Sequence, residues 1–333
     1  MIKSVDLAPP PYLRTRLDDA YRRVMSSGVY IGGPEVEAFE QEWSAYNNQS
    51  YCVAVGNGFD ALQLLLRAHH IGKDRSVLVP AITAPPTWSA IAATGATPIP
   101  FSEKSHHASA TIFVNLYGQQ CIINNNTIYS FADCCQSHGL MPRLTACFSF
   151  YPTKNLGCYG DSGAITTNDE ALATHLRSLH NYGCRGAVNS RMDPLQAAFL
   201  RVKLPYLNEW NAQRKEQAEI YNELLQGFPI ALPDLSIPSV FHQYAIRLSS
   251  RETRDALKTY LLENDIQTQI HYSIPPHRFL NYTLYDLPLA DQWSATTLSL
   301  PIGPHLDISY IYNISWNIQT FFITNKGGLN VHT

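Results

Sequence analysis

The apolar positions of this chain recur with two alternating periods, one helical and one extended. Helical spacing covers Leu13 to Ser27 and Glu35 to Tyr46, and a short apolar strand, Tyr51 to Val55, leads into a helical run at Ala61 to Ala68. The pattern also predicts a helix that ends at Gly95 and four further strands, at 77–80, 97–101, 111–116 and 128–132. Because strands that alternate with helices favour parallel pairing, the sequence predicts the α/β class with a largely parallel sheet.

The pattern changes in the last third of the chain. It predicts helices and strands in mixed order, with helices at 196–204, 207–225 and 251–264 and strands at 243–248 and 268–272. The helix at 207–225 is long enough to link two domains. We therefore expect a large domain over residues 1–205, and a linker helix with a small α+β domain over residues 206–333.

Composition and charge narrow the class of protein. With 333 residues, 45% of them hydrophobic and 15% charged, the chain can bury a large core. A formal net charge of -3 offers no basic surface for nucleic acid or anionic lipid. The amino terminus lacks the apolar core of a signal peptide, and no apolar run approaches the ~18 residues that span a bilayer. We expect a cytoplasmic protein without membrane or nucleic-acid partners.

The cysteines agree with a reducing compartment. Their number is odd, they lack the C-x-x-C spacing typical of metal sites, and several lie in apolar runs. The seven are Cys52, Cys121, Cys134, Cys135, Cys147, Cys158 and Cys184. We expect reduced, mostly buried thiols and no metal site.

Lys154 stands in an unusual place for a lysine. It follows a short aromatic, β-favouring run and precedes a turn through Gly157, Gly160 and Gly163, which predicts a loop with apolar walls. A lysine desolvated there loses affinity for its proton, and a neutral amine is the form that attacks carbonyl groups. A lysine that extends from the loop into water would fit the same local sequence.

The segment GNGFDAL joins the strand at 51–55 to the following helix. Gly56 and Gly58 let the backbone approach a ligand closely, and the helix amino terminus favours an anion such as phosphate. We expect Asp60 to cap this helix. An ordinary strand-to-helix turn can use the same residues without binding anything.

Polar residues follow the strand at 128–132 as well. In open α/β sheets, ligands lie at the carboxyl ends of the strands, so Asp133, Gln136 and His138 should face the same crevice as Gly58 and Lys154. One cofactor, pyridoxal 5'-phosphate (PLP), accounts for such a set. It needs a lysine, an acid that keeps its ring nitrogen protonated, and phosphate contacts, which Gly58, Phe59 and Ser149 could supply.

Nearly the whole chain resembles the DegT/DnrJ/EryC1/StrS family of PLP-dependent nucleotide-sugar aminotransferases. The resemblance rests on the segments SGVYIGGPEVEAFEQEW, VAVGNGFDAL, DCCQSHG, FSFYPTKNLGCYGDSGAITTND, HNYGCRGAVNSRMDPLQAAFLRVKLPYLNEWNAQR, IHYSIPPH and LSLPIGPHL. It implies the aspartate-aminotransferase fold (PLP fold type I), with a large domain around a mostly parallel mixed sheet and a small carboxyl-terminal α+β domain. NGFDAL and IHYSIPPH are most similar to the branch that aminates C3 of dTDP-3-keto-6-deoxyhexoses.

The resemblance also implies roles for individual cofactor residues. Lys154 matches the lysine that binds PLP and moves the proton, Asp133 matches the partner of the ring nitrogen, and Gln136 matches the residue beside the phenolic oxygen. Gly58, Phe59 and Ser149 match the phosphate contacts.

Asn189 matches an asparagine that reaches the phosphate from the neighbouring subunit, which implies a homodimer with shared active sites. Arg191 belongs to the same motif and could equally form an ion pair at the interface. His271, Tyr272 and His277 match the sugar-binding loop, and Tyr30 is a further candidate for substrate binding. A histidine in such a proline-rich loop can also be a surface or packing residue.

The chain departs from the family pattern in two respects. Ala84 follows Thr83 where the family has an aromatic residue that stacks on the cofactor, and we consider Trp88 as a substitute. The segments 101–111 and 119–128 are too short for the surface elements of relatives, and Asn124 to Asn126 predicts a turn.

The resemblance implies transfer of an amino group from L-glutamate to a ketosugar carried on a nucleotide diphosphate, within amino-sugar biosynthesis for a surface polysaccharide or a natural product. An alternative is a degenerate relative that binds PLP or a nucleotide-sugar as a sensor or assembly partner. Lys154, Asp133 and Gln136 oppose it, because a non-catalytic protein needs none of their chemistry. Sugar dehydratases of the family replace the lysine.

Overall fold

The computed structural model describes residues 1–101, 108–123, 127–182 and 187–324. The chain divides into two compact units, a large unit, Leu7–Asn208, and a small unit, Met1–Asp6 with Glu209–Thr333. The turn predicted at residues 124–126 lies outside the described residues, as do Cys184 and most of the short segment after Phe101.

Seven strands of the described chain form the sheet of the large unit: β1 (Tyr51–Val55), β2 (Ser76–Val79), β3 (Thr97–Pro100), β4 (Ala110–Val114), β5 (Tyr129–Asp133), β6 (Thr145–Ser149) and β7 (Gly163–Thr167). Their spatial order is β1-β7-β6-β5-β4-β2-β3. β7 is antiparallel to both neighbours, whereas the pairs from β6 to β3 are parallel. The predicted mixed, mostly parallel sheet is confirmed.

The helices of the large unit are α1 (Arg14–Ser27), α2 (Pro34–Tyr46), α3 (Gly58–Ala68), α4 (Pro85–Ala93), α5 (Glu170–Leu179) and α6 (Pro194–Lys203). They start where the sequence provides caps or a proline: Asn57 and Asp169 accept backbone bonds at the starts of α3 and α5, and Pro34, Pro85 and Pro194 begin three others. α5, which the sequence pattern did not predict, packs against β1 and β7.

Strand register determines which residues lie together at the site. Asp133, the last residue of β5, is level with Val114 on β4 and Cys147 on β6. Gly163 at the start of β7 is level with both Ser149 and Val55. The ends of β1, β5 and β6 therefore meet at one edge of the sheet.

An aromatic cluster packs α2 against β6. Trp43 is fully buried, and its ring lies edge-on to Phe148 and Phe150, each with a centroid separation of 5.1 Å. His138 joins the cluster at 5.5 Å from Trp43. The prediction that Trp43 is a core residue is confirmed.

The edge strand β1 is covered by side chains. Glu40 of α2 accepts the N–H of Ala54 at 2.7 Å, and Arg177 of α5 donates to the carbonyl of Cys52 at 2.9 Å. Arg177 and Glu40 also form an ion pair at 3.1 Å. These contacts satisfy backbone groups that would otherwise present an open strand edge.

The small unit contains α7 (Leu207–Leu225), which begins in the large unit, then β8 (Tyr244–Arg247), α8 (Arg251–Glu263), α9 (Pro276–Phe279), α10 (Pro288–Thr296), β9 (Thr297–Leu300) and α11 (Ile308–Thr324). β8 and β9 are antiparallel. Their apolar faces pack with α7, α8 and α11 around Tyr221 and Tyr244, whose rings stack at 4.7 Å. An α+β unit was predicted and is found.

The prediction of a strand at 268–272 is wrong. Only Gln269 pairs with β9, through reciprocal backbone bonds to Ser299, and the following residues form a turn. The alternation of polar and apolar residues suits a strand, but the chain turns after Gln269, and His271 contacts β9 through its side chain, with Nδ1 2.9 Å from Ser299 Oγ.

Within the described ranges, no helix is long and apolar enough to cross a membrane. In the same residues, no group of three or more His, Cys, Asp or Glu side chains could hold a metal ion. The six described cysteines are free thiols, four of them buried.

Candidate active site

The turn between β1 and α3 forms a tight cap. Asn57 Oδ1 accepts the N–H of Asp60 at 2.8 Å, and Asn57 Nδ2 donates to Asp60 Oδ2 at 3.1 Å. Asp60 was expected to cap this helix, but Asn57 is the cap because Asp60 already lies in the first turn. Gly56 does not offer its N–H to a ligand, since it donates to Ser190 Oγ at 3.0 Å.

Gly58 lies against the end of β6. A Cβ on Gly58 would be 2.6 Å from Ser149 Cβ and 2.9 Å from Cys135 Sγ. A Cβ on Gly163 would be 2.4 Å from the carbonyl carbon of Asn57, so the turn also crosses β7 without space for a side chain. The amino terminus of α3, with Gly58 and Phe59, thus lies beside the Ser149 hydroxyl. We call these three residues the anion cradle.

The segment before α6 is fastened to the same turn. Ser190 Oγ donates to Asp60 Oδ2 at 2.7 Å, which holds the preceding residue, Asn189, close to the start of α3. Asn189 itself is exposed. Arg191 donates to Asn181 Oδ1 at 3.0 Å and lies over the Tyr182 ring at 5.7 Å, so its described contacts are an amide and a ring.

Asp133 is buried at the carboxyl end of β5. Its Oδ1 accepts the N–H of Cys135 at 3.1 Å, and its Oδ2 accepts the hydroxyl of Thr87 at 2.8 Å. Thr87 Oγ1 is in turn 3.1 Å from Thr83 Oγ1. Thr83 is named in the sequence analysis only as the neighbour of Ala84, and Thr87, one helical turn further on, was not predicted to be part of the site.

Lys154 is half-buried in the loop after β6. Burial lowers the pKa of Lys154 below its ordinary value, because the ammonium form loses hydration, while Cys135 and Asp133 oppose the fall. The loop is tight here: Lys154 N–H donates to Tyr151 O at 2.8 Å, and Gly157 passes so close to Pro152 that no Cβ fits. Cys135 and Asp133 thus lie within electrostatic range of the Lys154 ammonium group.

Gln136 and His138 take different places. Gln136 is buried, and its Oε1 accepts the N–H of Tyr117 at 2.6 Å, which orients its amide. His138 was expected in the crevice, but it packs among aromatic rings and its Nδ1 accepts the N–H of Leu156 at 3.1 Å. Burial lowers the pKa of His138 to about 3. Its contacts support the Lys154 loop from the core.

Trp88 offers no stacking surface. Its ring is fully buried and its Nε1 donates to Pro80 O at 2.9 Å. The hypothesis that Trp88 replaces the aromatic residue missing at Ala84 is therefore not supported. Ala84 precedes Pro85 with an extended backbone and is half-buried.

The remaining candidate residues come from other segments of the chain. Tyr30 is exposed and its hydroxyl is 3.5 Å from Met25 O. In the small unit, His271 Nδ1 is 2.9 Å from Ser299 Oγ, and Tyr272 is half-buried beside it. His277 is 1% exposed, with Nε2 3.5 Å from Asp291 Oδ1, which favours a packing role.

One edge of the sheet thus combines an anion cradle, a buried carboxylate and a lysine whose pKa is lowered. Such an arrangement in an α/β fold is typical of enzymes that act at a carbonyl or amine carbon. The model of the DegT/DnrJ/EryC1/StrS aminotransferase family matches residues 11–107 and 103–318, and the chain belongs to this family.

Two relatives and one solved structure illustrate the similarity. The chain is 38% identical over 341 residues to dTDP-3-amino-3,4,6-trideoxy-alpha-D-glucose transaminase of Streptomyces venezuelae, covering 89% of each chain. It is 39% identical over 330 residues to dTDP-3-amino-3,6-dideoxy-alpha-D-galactopyranose transaminase of Aneurinibacillus thermoaerophilus, covering 86% of this chain and 90% of that one. The structure of S. venezuelae DesV in complex with a ketimine intermediate matches with a TM-score of 0.90 and 36% identity, over 96% of this chain and 98% of that one.

Proposed function

We propose that this protein is a PLP-dependent aminotransferase that moves an amino group from L-glutamate to C3 of a dTDP-linked keto-6-deoxysugar. The observation that carries the proposal is the buried, hydrogen-bonded Asp133 at the end of β5, within electrostatic range of Lys154 and at the same edge of the sheet as the Gly58 turn. The names of the two relatives, both 3-amino dTDP-sugar transaminases, support the sugar class and the ring carbon.

The residues of the site fit PLP. The cradle is built where Gly58 leaves no space for a side chain, as a phosphate bound by backbone N–H groups requires. Asp133 is buried and hydrogen-bonded, and Lys154 is a lysine with reduced proton affinity. When bound, PLP would supply an electron sink that stabilises negative charge at the carbon bearing the amine.

Each residue then has a defined task. Gly58 and Phe59 would hold the phosphate through backbone N–H groups, and Ser149 through its hydroxyl. Asp133 would pair with the protonated ring nitrogen. Gln136, whose amide is oriented by the N–H of Tyr117, would hold the phenolic oxygen. Lys154 Nζ would supply the amine that binds the cofactor, and burial, which lowers the pKa of Lys154, favours the neutral amine that this bond needs.

Asn189 supports a homodimer with shared sites. It is exposed, yet Ser190 fastens its segment to the turn that bears the cradle. We propose that Asn189 binds the phosphate held by the partner subunit. Tyr30, His271 and Tyr272 are proposed sugar contacts, with His277 as a support for that loop, and the free thiols fit a cytoplasmic enzyme.

The decisive experiment is the visible absorption spectrum of the protein with PLP, recorded before and after L-glutamate, beside the Lys154→Ala variant. We expect a band of lysine-bound cofactor that glutamate removes and that Lys154→Ala never shows. Amination of dTDP-ketosugars is then assayed by product mass. A protein that binds PLP but never responds to glutamate or ketosugar would contradict the proposal and indicate a non-catalytic relative.

A further inference from the structure

Two threonine hydroxyls stand behind Asp133 in the large unit. Asp133 is 5% exposed, Thr87 1% and Thr83 0%, so water does not compete for these contacts. Oδ1 accepts the N–H of Cys135, Oδ2 accepts the hydroxyl of Thr87 at 2.8 Å, and the Cys135 thiol interacts with the same carboxylate. The carboxylate is thereby held by one strand-end N–H and one helix side chain.

The direction of the threonine chain follows from hydrogen counting. A hydroxyl has one hydrogen, and Thr87 gives its hydrogen to Asp133, since an ionised carboxylate only accepts. The contact of 3.1 Å between Thr87 Oγ1 and Thr83 Oγ1 must therefore have Thr83 as the donor. A donor chain in a dry environment polarises each successive bond and strengthens the last one.

We propose that Thr87, reinforced by Thr83, is a positioning residue that fixes the orientation of the Asp133 carboxylate towards the ring nitrogen of the cofactor. The inference rests on the proposed function, because it assigns Asp133 to that nitrogen. Thr87 acts only through Asp133. It holds Oδ2 in place by donating a hydrogen bond to it at 2.8 Å.

The position of the two residues supports this role. Thr83 lies between β2 and α4, and Thr87 lies in the first turn of α4, which begins at Pro85. Pro85 and Pro86 restrict the backbone at that point, so the helix start delivers the Thr87 hydroxyl with little freedom. The two prolines thus lie next to the hydrogen bonds that join Thr83, Thr87 and Asp133.

The test measures affinity for pyridoxamine 5'-phosphate by calorimetry, which does not require a bond to Lys154. Because a hydrogen bond to a charged group contributes more than a neutral one, we expect Thr87→Val to weaken binding by about tenfold or more. Thr87→Ser keeps the hydroxyl and should bind like the parent protein. Thr83→Val should cause a smaller loss. Thr94→Val is the matched control, because the Thr94 hydroxyl in the cap of the same helix bonds to the backbone of Ile91.

A double-mutant cycle separates positioning from a general packing effect. In an Asp133→Asn background the loss caused by Thr87→Val should largely disappear. The inference would be overturned if Thr87→Val lost the same affinity in the parent and in the Asp133→Asn background, or if Thr87→Ser bound as weakly as Thr87→Val. If Thr87→Val does not fold, weaker binding by Thr83→Val together with parent-like binding by Thr87→Ser supports the inference. Unchanged binding by Thr83→Val contradicts it. Absence of any binding by the parent protein would instead refute the proposed function.

Discussion

Gly58 and Gly163 bring three backbone segments into contact at the anion cradle. At Gly163 a side chain would meet backbone atoms of Asn57, which cannot rotate away, and at Gly58 it would meet Ser149 at the end of β6. Gly160, two residues before Ser162 in the same loop, differs: its nearest neighbour is the flexible end of Gln196 at 3.1 Å. Gly58 and Gly163 therefore leave no space for a side chain, whereas Gly160 can be replaced by a small residue.

We expect Gly163→Ala to lower the free energy of unfolding by about 1–3 kcal/mol, because the inserted methyl group forces a backbone shift. It should also weaken PLP binding, since the shift moves the helix start that forms the cradle. Urea unfolding and a PLP titration measure the two effects. Gly160→Ala serves as control and should change stability little. Equal stability of Gly163→Ala and the parent protein would contradict the close approach.

The loop that carries Lys154 is an element without regular secondary structure, and the core holds it in shape. His138 accepts the N–H of Leu156 and packs against Trp43, while Phe150 and Cys158 close the loop by a backbone bond of 2.8 Å. Lys203, at the end of α6, donates to the carbonyl of Gly157 and lies over the Tyr159 ring at 4.6 Å. Lys154 therefore lies in a loop that is anchored to an aromatic core and to a helix.

His138 makes the stability of this element dependent on pH. Its pKa is about 3 in the folded protein and near the ordinary 6.5 in the unfolded chain, so only the unfolded chain takes up a proton between these values. Stability should therefore be complete above pH 6.5 and fall towards pH 3, with a contribution from His138 of about 1.4 kcal/mol per pH unit.

The measurement is urea unfolding of the protein at several pH values between 7 and 4. His138→Gln, whose amide oxygen can still accept the Leu156 N–H, should show a shallower decline. His70→Gln, at an exposed histidine, should leave the decline unchanged. If His138→Gln and the parent protein lose stability in parallel, the histidine is not held neutral.

The proposed sharing of active sites between two subunits can be tested by mixing two inactive variants. A Lys154→Ala subunit lacks the amine but keeps Asn189, and an Asn189→Asp subunit keeps the amine but repels a phosphate. In a hybrid of the two, one site receives both intact residues. Random mixing should therefore restore about a quarter of the parent activity, measured at limiting PLP.

The two variants assayed separately give the baseline, and size-exclusion chromatography with light scattering gives the mass of each. Activity of the mixture that merely equals the average of the two variants would argue against shared sites. Restored activity would identify Asn189 as the residue given to the partner.

Much of the secondary structure could be predicted from local sequence patterns. β1 and α7 have the predicted bounds, and most other strands are within one or two residues, because apolar alternation and helix caps act over short distances. The prediction failed at 268–272, where a single bridge to Ser299 replaces a strand, and at His138, which alternation and spacing could not assign to core or crevice.

The fold class, the family and the predicted roles of Lys154, Asp133 and Gly58 could be inferred from the chain alone, because these inferences depend on motifs contiguous in the sequence. Which residues meet across the chain depends on tertiary packing. Thr87 bonds to Asp133 from 46 residues away, Ser190 to Asp60 from 130, and Gly163 makes room for Asn57 on a strand that crosses the turn. Such contacts arise from strand register and helix packing, which no local pattern of residues specifies.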